Sequence, residues 1–463
     1  MALTLALVEG VSLFVAVGAM ILLWLRPLVT DWTDVLTFLS QAIGISLCCL
    51  VAFYYNDLYD LRIVRSLSGF ASRLLQAFGV TFILLAVFYS IFPDTAIARG
   101  PFVSSLVIIV GLLLPLRALT YWVMRRHPFV ERVLVLGASP LARRIVAEIE
   151  SQPQFGYAVV GVVDNTAAPA PIDHAALASL GRIGKIVEDV RPDRIVVALA
   201  ERRGNLPVAA LVEARMRGVT VEDGITVYER LTKKIAIESL TPGNLIFSSD
   251  FRNSKFEVAI GRAISFLASV VGLVAFAPLF GLIALAIKLD SRGSVLFVHE
   301  RIGLHGRRFK LLKFRTMRCV GGNTSEWVRD NGDRITRVGQ WLRKYRLDEL
   351  PQFVNILRGQ MNLVGPRPHP VSNLALFTER IPYYSLRLGV RPGVTGWAQI
   401  RYGYANGLDE EIEKMRYDLY YIKHLSLWFD LRILVDTVKI VLFGRGATAA
   451  DAYPNAATLG VRR

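Results

Sequence analysis

An apolar run with a proline near its centre decides the fold of this chain: AISFLASVVGLVAFAPLFGLIALAIKL, at residues 263–289. The run is long enough to cross the roughly 30 Å of bilayer hydrocarbon. Pro278 removes one helix hydrogen bond and clashes with the preceding turn, so it bends a helix. Cationic residues flank both ends: Lys255, Arg262, Lys288 and Arg292. We predict a re-entrant helix that enters one leaflet, bends and returns; an ordinary kinked span is the alternative.

Four more apolar stretches precede this run, each near the ~20 residues that a span needs: Leu5–Leu25, Val35–Tyr55, Leu74–Phe92 and Phe102–Val123. Arginines concentrate in the second loop and after the fourth stretch: Arg62, Arg65, Arg73, Arg125, Arg126 and Arg132. The positive-inside rule therefore predicts that the N-terminus and everything after residue 123 lie in the cytoplasm. The first stretch lacks a cationic n-region, so we interpret it as a retained helix and not as a signal peptide.

Composition agrees with a membrane protein that meets anions. The 463 residues are 53% hydrophobic, the mean hydropathy is +0.41 and the net charge is +16. No nucleic-acid recognition motif is present, so the charge favours an anionic membrane surface or phosphorylated substrates. The three cysteines, Cys48, Cys49 and Cys319, form neither a metal-type nor a disulfide pattern and are interpreted as packing residues.

Strand and helix patterns alternate over residues 130–229, which predicts a doubly wound, Rossmann-like α/β domain. The turn at Gly137 is a degenerate dinucleotide fingerprint, because Ser139 replaces its second glycine. Asp164 lies about where a ribose-binding acid would. A structural or regulatory module and a nucleotide-binding module both stay open. A nucleotide-sugar dehydratase or epimerase would need a Tyr-x-x-x-Lys pair, and this segment has none.

Asp348 and Glu349 are the residues that point to chemistry. Helix neighbours point about 100° apart, so the pair cannot flank one bond as glycosidase carboxylates do. Adjacent carboxylates can instead divide the work: one attacks phosphorus, while the other holds a divalent cation such as Mg²⁺. Pro351 suits a helix start, whose dipole would lower the pKa of both carboxylates. The alternative is a helix cap.

Cations accompany this pair, several of them between prolines or in rigid turns. Arginines on stiff backbone suit bidentate binding of phosphate oxygens. The candidates for binding substrate or phosphate are Lys313, Arg315, Arg343, Arg367 and Arg391. Further basic residues could contact an anionic leaflet: Arg301, Arg307, Arg308 and Lys310.

Three motifs resemble those of the bacterial sugar transferases, the monotopic phosphoglycosyl transferases. They are Lys313-Phe314-Arg315-Thr316-Met317, the block from Asp348-Glu349-Leu350-Pro351-Gln352 to Gly365-Pro366-Arg367-Pro368, and Arg391-Pro392-Gly393-Val394-Thr395-Gly396-Trp397-Ala398-Gln399. The resemblance covers residues 255–445. The upstream architecture resembles the long form of the family, the undecaprenyl-phosphate glucose or galactose phosphotransferases of exopolysaccharide, O-antigen and capsule pathways.

The resemblance implies that Asp348 attacks the β-phosphate of a UDP-sugar and that Glu349 holds Mg²⁺. Undecaprenyl phosphate would then accept the sugar phosphate. Arg343 and Arg367 match phosphate-binding or supporting positions, and Asp418 matches an acidic position that either serves the site or pairs structurally with an arginine. A homodimer, downstream glycosyltransferases as partners, and the bacterial inner membrane with a cytoplasmic catalytic domain are further implications. A non-catalytic scaffold of a polysaccharide-synthesis complex is the alternative.

The predicted fold class is therefore a membrane α-helical bundle of four spans, a Rossmann-like α/β domain, and an α/β monotopic catalytic domain with a re-entrant helix. The predicted boundaries are 1–125 for the spans, 126–230 for the α/β domain, 231–255 for a connector, 256–290 for the re-entrant helix, 291–445 for the catalytic domain and 446–463 for a tail.

Overall fold

The computed structural model describes most of the chain. The described residues are 2–25, 32–56, 58, 67–92, 107, 109, 111, 115, 130–152, 156–164, 183–201, 205–240, 254–318, 334–403, 405 and 407–442.

Three long apolar helices open the chain: α1 (Ala2–Leu25), α2 (Trp32–Tyr55) and α3 (Leu67–Ile91). Helix α2 packs between the other two around a shared apolar core. By length and composition, Arg73–Ser90 and Lys255–Ala275 can cross a bilayer, while Val8–Ala19 and Leu39–Tyr55 are shorter apolar helices. The fourth predicted span, Phe102–Val123, lies outside the described residues apart from four single positions. The four-span bundle therefore stays a prediction.

The second unit is a parallel four-stranded sheet in the order β2-β1-β3-β4. Its strands are β1 (Glu131–Leu136), β2 (Tyr157–Val163), β3 (Arg194–Val197) and β4 (Thr220–Asp223), and its helices are α4 (Pro140–Ser151), α5 (Ile183–Val190), α6 (Val208–Met216) and α7 (Gly224–Thr232). Strand side chains alternate between two cores: Val133 and Val135 face α4 and α7, whereas Leu134 and Leu136 face α5 and α6. The Rossmann-like prediction is confirmed.

The turn after β1 explains the broken glycine fingerprint. Gly137 has a φ of +104°, and a Cβ there would lie 2.6 Å from the carbonyl oxygen of Ala198. The hydroxyl of Ser139 donates to that same oxygen at 2.6 Å and accepts from the Ala142 amide at 3.1 Å. Ser139 thus caps α4 and ties the turn to the end of β3. Nucleotide binding by this domain stays a prediction.

The chain leaves the α/β domain through a segment that packs into the third unit. Ile235 and Ile237 lie in one apolar core with Trp397 and Leu419. The indole N–H of Trp397 donates to the carbonyl of Lys233 at 3.1 Å. The first part of the predicted connector is therefore built into the third unit.

The proline-containing run forms two helices, α8 (Lys255–Ala275) and α9 (Ala277–Asp290), which meet at Phe276. Both helices contact the same globular unit. Helix α8 donates from Arg262 to the carbonyl of Ile356 at 2.6 Å, and Ser265 accepts from the Leu363 amide at 3.2 Å. Helix α9 buries Ile287 against that unit. Contacts from both arms to one domain are what a re-entrant helix requires.

The third unit contains an antiparallel hairpin and a short parallel pair, surrounded by helices. The strands are β5 (Leu296–Ile302), β6 (Arg308–Phe314), β7 (Asn362–Val364) and β8 (Gly393–Thr395). The helices are α10 (Arg337–Lys344), α11 (Gln352–Leu357), α12 (Leu374–Arg380), α13 (Tyr384–Arg387), α14 (Trp397–Arg401), α15 (Leu408–Lys423) and α16 (Leu427–Leu442).

Candidate active site

The two carboxylates lie on a 3₁₀ turn, Leu347–Glu349, just before α11. Arg346 begins this turn in the left-handed conformation, with a φ of 55°. The apolar neighbours Leu347 and Leu350 pack against the α9 cluster. The turn is thereby held against α9, and Asp348 and Glu349 are buried, at 7% and 5% exposure.

Glu349 is surrounded by cations from three parts of the chain. Its Oε1 lies 2.9 Å from Nη2 of Arg367, 3.3 Å from Nη1 of Arg346 and 3.4 Å from Nζ of Lys313. Burial acts to raise the pKa of Glu349, but Arg367, Lys313 and Arg346 together hold it well below its usual range. Glu349 therefore stays ionised.

Asp348 differs from its neighbour. Its Oδ1 is buried and has no hydrogen-bond partner among the described residues. Burial raises the pKa of Asp348, and the charge of Glu349 adds to the rise, although Lys313 opposes it. The predicted lowering of pKa is thus correct in direction for Glu349 and wrong for Asp348, because desolvation of this carboxylate outweighs the nearby cations. A buried carboxylate oxygen without a donor costs free energy, so Asp348 would gain from a cation or donor that binds from outside the protein.

Lys313, on β6, extends the cationic side of the site. Burial and the charge of Arg367 lower the pKa of Lys313 to about 8, against the opposing pull of Glu349 and Asp348. Arg301, from the paired strand β5, also contributes to this lowering, and its Nη1 donates to the carbonyl of Pro368 at 3.4 Å. The cations of the site therefore outnumber its two carboxylates, and this excess suits a phosphorylated ligand.

Three of the predicted phosphate-binding arginines have other partners. Arg315 is buried and donates to the carbonyl of Ser291 at 2.7 Å and of Arg292 at 3.0 Å, so it caps the C-terminal end of α9. Arg343 donates to Oγ1 of Thr316 at 2.9 Å, and Arg391 donates to the carbonyl of Gly359 at 3.3 Å. For Arg315 the structure favours a structural role, because its guanidinium donates to the backbone carbonyls that directly follow α9; its binding of phosphate stays a prediction.

Asp418, on α15, lies in a buried ion pair. Its Oδ2 accepts from Nε of Arg387 at 2.8 Å, and Nη2 of the same arginine donates to the carbonyl of Arg367. Of the two roles left open for Asp418, the structure supports the arginine-pairing one. In the part of the chain that the structure describes, Asp418 is linked to the dyad through Arg387 and Arg367.

Sequence reasoning missed two arginines of this site. Arg346 stands two residues before Asp348 and could have been found by its proximity to the motif. Arg387 lies outside the quoted motifs, and only the tertiary structure brings it to Arg367. Pro278 lies at the junction of α8 and α9, as predicted, away from the carboxylates.

The residues present are compatible with Mg²⁺. Within the described ranges, no group of three or more His, Cys, Asp and Glu side chains is placed to hold a metal ion. Mg²⁺, however, commonly uses one or two carboxylates and completes its shell with water and substrate phosphates. Asp348 offers an oxygen without a hydrogen-bond partner in the described structure, and Glu349 offers a second, ionised carboxylate. This donor set fits a cation that arrives with a phosphorylated substrate.

Comparison with known proteins agrees with this site. A family model described as bacterial sugar transferase matches residues 256–444, and one described as CoA-binding domain matches residues 55–201. A UDP-glucose:undecaprenyl-phosphate glucose-1-phosphate transferase of Xanthomonas campestris pv. campestris is 33% identical over 79% of this chain and 79% of its own length. The chain belongs to the bacterial sugar transferase family.

Other members of the bacterial sugar transferase family match over shorter regions. A UDP-N-acetylgalactosamine-undecaprenyl-phosphate N-acetylgalactosaminephosphotransferase of Aeromonas hydrophila is 40% identical over 48% of this chain and 52% of its own length. An undecaprenyl-phosphate glucose phosphotransferase of Komagataeibacter xylinus is 33% identical over 68% of this chain and 60% of its own length. The chain thus spans about half to three fifths of these two relatives.

Proposed function

We propose that this protein transfers a hexose-1-phosphate from a UDP-sugar to undecaprenyl phosphate through a covalent aspartyl-phosphosugar intermediate. The observation that carries the proposal is the buried Oδ1 of Asp348, which lacks a hydrogen-bond partner among the described residues and adjoins a cluster of cations. The names of the family relatives point to the same reaction class.

In the first step, a carboxylate oxygen of Asp348 attacks the β-phosphorus of the UDP-sugar. The bond from that phosphorus to the bridging oxygen breaks, and UMP leaves with the electron pair. Lys313, Arg346 and Arg367 neutralise the phosphate oxygens as charge shifts between them. The raised pKa of Asp348 makes its carboxylate a more basic nucleophile once it is ionised.

In the second step, a phosphate oxygen of undecaprenyl phosphate attacks the same phosphorus and displaces the carboxylate of Asp348. The product is an undecaprenyl-diphospho-sugar, and Asp348 is regenerated with no net proton transfer. Bound Mg²⁺ would supply additional neutralisation of phosphate charge, with Glu349 as its protein ligand. Two successive displacements at one phosphorus need one nucleophile, which is consistent with one carboxylate of the dyad, Glu349, being held by cations and the other, Asp348, accepting no hydrogen bond at Oδ1 from the described residues.

The apolar surface of the re-entrant helix supports a position at the membrane. Leu267, Val271 and Val274 on α8 and Leu282 and Leu285 on α9 are each more than half exposed. A contiguous apolar surface of this kind is expected to contact lipid. We place it in the cytoplasmic leaflet of the bacterial inner membrane, because that places the carboxylates where both a cytoplasmic nucleotide sugar and a lipid phosphate can reach them.

The biological setting follows from this reaction. Loading a sugar phosphate onto a lipid carrier is suited to the first step of exopolysaccharide, O-antigen or capsule synthesis. Downstream glycosyltransferases would consume the product, and a homodimer stays a prediction. The relatives are named for different sugars, so the sugar is a matter for direct assay.

The test is release of UMP by the purified full-length protein in nanodiscs, with Mg²⁺, undecaprenyl phosphate and a panel of UDP-hexoses. We expect one sugar to give UMP and Asp348→Asn to abolish its release. Without the lipid acceptor, intact mass spectrometry of the wild type should detect a hexose-phosphate adduct that Asp348→Asn lacks. Release of UMP by Asp348→Asn at the wild-type rate would exclude the covalent mechanism. No UMP release with any UDP-hexose of the panel would favour the non-catalytic scaffold.

A further inference from the structure

The segment Pro366-Arg367-Pro368 is held in place by its carbonyl groups. Proline has no N–H, so Pro366 and Pro368 cannot donate to neighbouring backbone. The carbonyl of Pro366 accepts from the Gly393 amide at 3.0 Å, and that of Pro368 accepts from Nη1 of Arg301 at 3.4 Å. The carbonyl of Arg367, between them, accepts from Nη2 of Arg387. The position of this segment therefore depends on donors from other parts of the chain.

Arg387 is suited to act as such a donor because it is itself fixed. It ends α13 and is 5% exposed, and its Nε donates to Oδ2 of Asp418 at 2.8 Å. One planar guanidinium thus contacts a carboxylate with one nitrogen and a backbone carbonyl with another. A lysine is a point charge on a flexible stem and does not reproduce this fork.

Arg367 carries the effect to the dyad. Its carbonyl is the acceptor for Arg387, and its Nη2 lies 2.9 Å from Oε1 of Glu349. We propose that Arg387, oriented by Asp418, is a positioning residue that sets the backbone of Arg367 so that its guanidinium meets Glu349 and the substrate phosphates. The expected effect on catalysis rests on the proposed function, whereas the placement of the Arg367 guanidinium by Arg387 does not.

A buried ion pair could instead serve stability alone, so the test must separate the two roles. Three variants form a double-mutant cycle: Arg387→Lys, Arg367→Lys and the double variant. Glu413→Gln is the matched control. Glu413 lies on the same helix, α15, but contacts Lys234 and Arg416, so it should change stability without touching Arg367.

If Arg387 acts through Arg367, Arg387→Lys lowers kcat for UMP release by about tenfold, since misplacement of a positioned group by about 1 Å can cost up to ~100-fold. The same substitution should then have no further effect in the Arg367→Lys background. Independent, multiplying losses would overturn the inference. The fold change in kcat caused by Glu413→Gln should be the same in the wild-type and Arg367→Lys backgrounds, whatever change the substitution causes in Tm.

A second measurement does not depend on the reaction. In an experimental structure of Arg387→Lys, the guanidinium of Arg367 should move away from Glu349. An Arg367–Glu349 contact unchanged from 2.9 Å would overturn the inference even if the protein transfers no sugar phosphate. Conversely, the wild-type protein could release no UMP while Arg367 is displaced in the structure of Arg387→Lys. That result would refute the proposed function and leave the positioning role intact.

Discussion

Nη2 of Arg367 donates to Oε1 of Glu349 at 2.9 Å across 18 positions of sequence, and this contact joins the Pro-Arg-Pro segment to the turn that carries the dyad. The same contact helps to give the two adjacent carboxylates different pKa values. Glu349 pairs with the cations and has a lowered pKa, whereas Asp348 is buried beside it with a raised pKa. Groups of one type whose environments separate their pKa values are commonly the ones that divide the chemistry.

The first prediction concerns pH. The reaction needs ionised Asp348, so kcat/KM should fall as pH decreases through its pKa, which is raised above the ordinary value of about 3.9. It also needs protonated Lys313, whose pKa of about 8 predicts a second loss of activity as pH rises past that value. Rates of UMP release at fixed ionic strength should therefore give a bell-shaped profile.

Lys313→Arg is the control for the alkaline limb. Arginine stays protonated throughout this range, so the variant should keep activity above pH 8 if the limb reports Lys313. An alkaline limb at the same pH in both proteins would assign it to another group.

The second prediction concerns Arg315, which the motif suggested as a phosphate ligand. Arg315→Ala removes a buried guanidinium that donates to the carbonyl of Ser291 after α9, and the loss of a hydrogen bond from a charged group costs about 1.5–3 kcal/mol. We expect a lower Tm and, well below that Tm, a nearly unchanged KM for the UDP-sugar. Arg367→Ala should instead raise the KM for the UDP-sugar and leave Tm nearly unchanged. A large rise in KM with an unchanged Tm would restore the phosphate-binding role of Arg315.

The third prediction tests how α8 and α9 pack against the rest of the protein. A Cβ at Gly272 would lie 2.7 Å from Cε2 of Phe353, whereas a Cβ at Gly281 would meet no described heavy atom within 4 Å. Gly272→Ala should destabilise the protein by about 1–3 kcal/mol through overpacking. Gly281→Ala should be neutral or stabilise it by up to about 1 kcal/mol.

Thermal unfolding in one detergent compares these two variants directly. Phe353→Leu should relieve the effect of Gly272→Ala, because the smaller side chain removes the ring that the new methyl group meets. Equal Tm values for the two glycine variants would mean that α8 does not pack on α11 as described.

The fourth prediction concerns topology. Lys255 and Arg292 are exposed and lie at the outer ends of α8 and α9. In a background with Cys48, Cys49 and Cys319 replaced, Lys255→Cys and Arg292→Cys should both react with a membrane-impermeant maleimide only after the cytoplasmic side is opened. Labelling of the two positions from opposite sides would contradict the re-entrant prediction and show that the run crosses the membrane.

Local patterns were enough to predict much of this protein. The strand at 131–136 alternates its side chains between two cores, and Pro278 lies where one helix ends and the next begins. The motif cations Lys313 and Arg367 do meet Glu349. Arg315, two residues from Lys313, does not, because its guanidinium is used by helix-end carbonyls that only packing brings near.

By itself, the sequence predicted the α/β elements, the apolar run with its bend, and the adjacent carboxylates as candidate reactive groups, because period, proline chemistry and residue type act over a few neighbours. Tertiary structure alone decided which carboxylate the cations would hold and which would be left with an oxygen lacking a hydrogen bond in the described structure. It also brought Arg387, which is paired with Asp418, into contact with the carbonyl of Arg367. Desolvation and charge pairing depend on distances across the fold, and spacing along the chain does not set those distances.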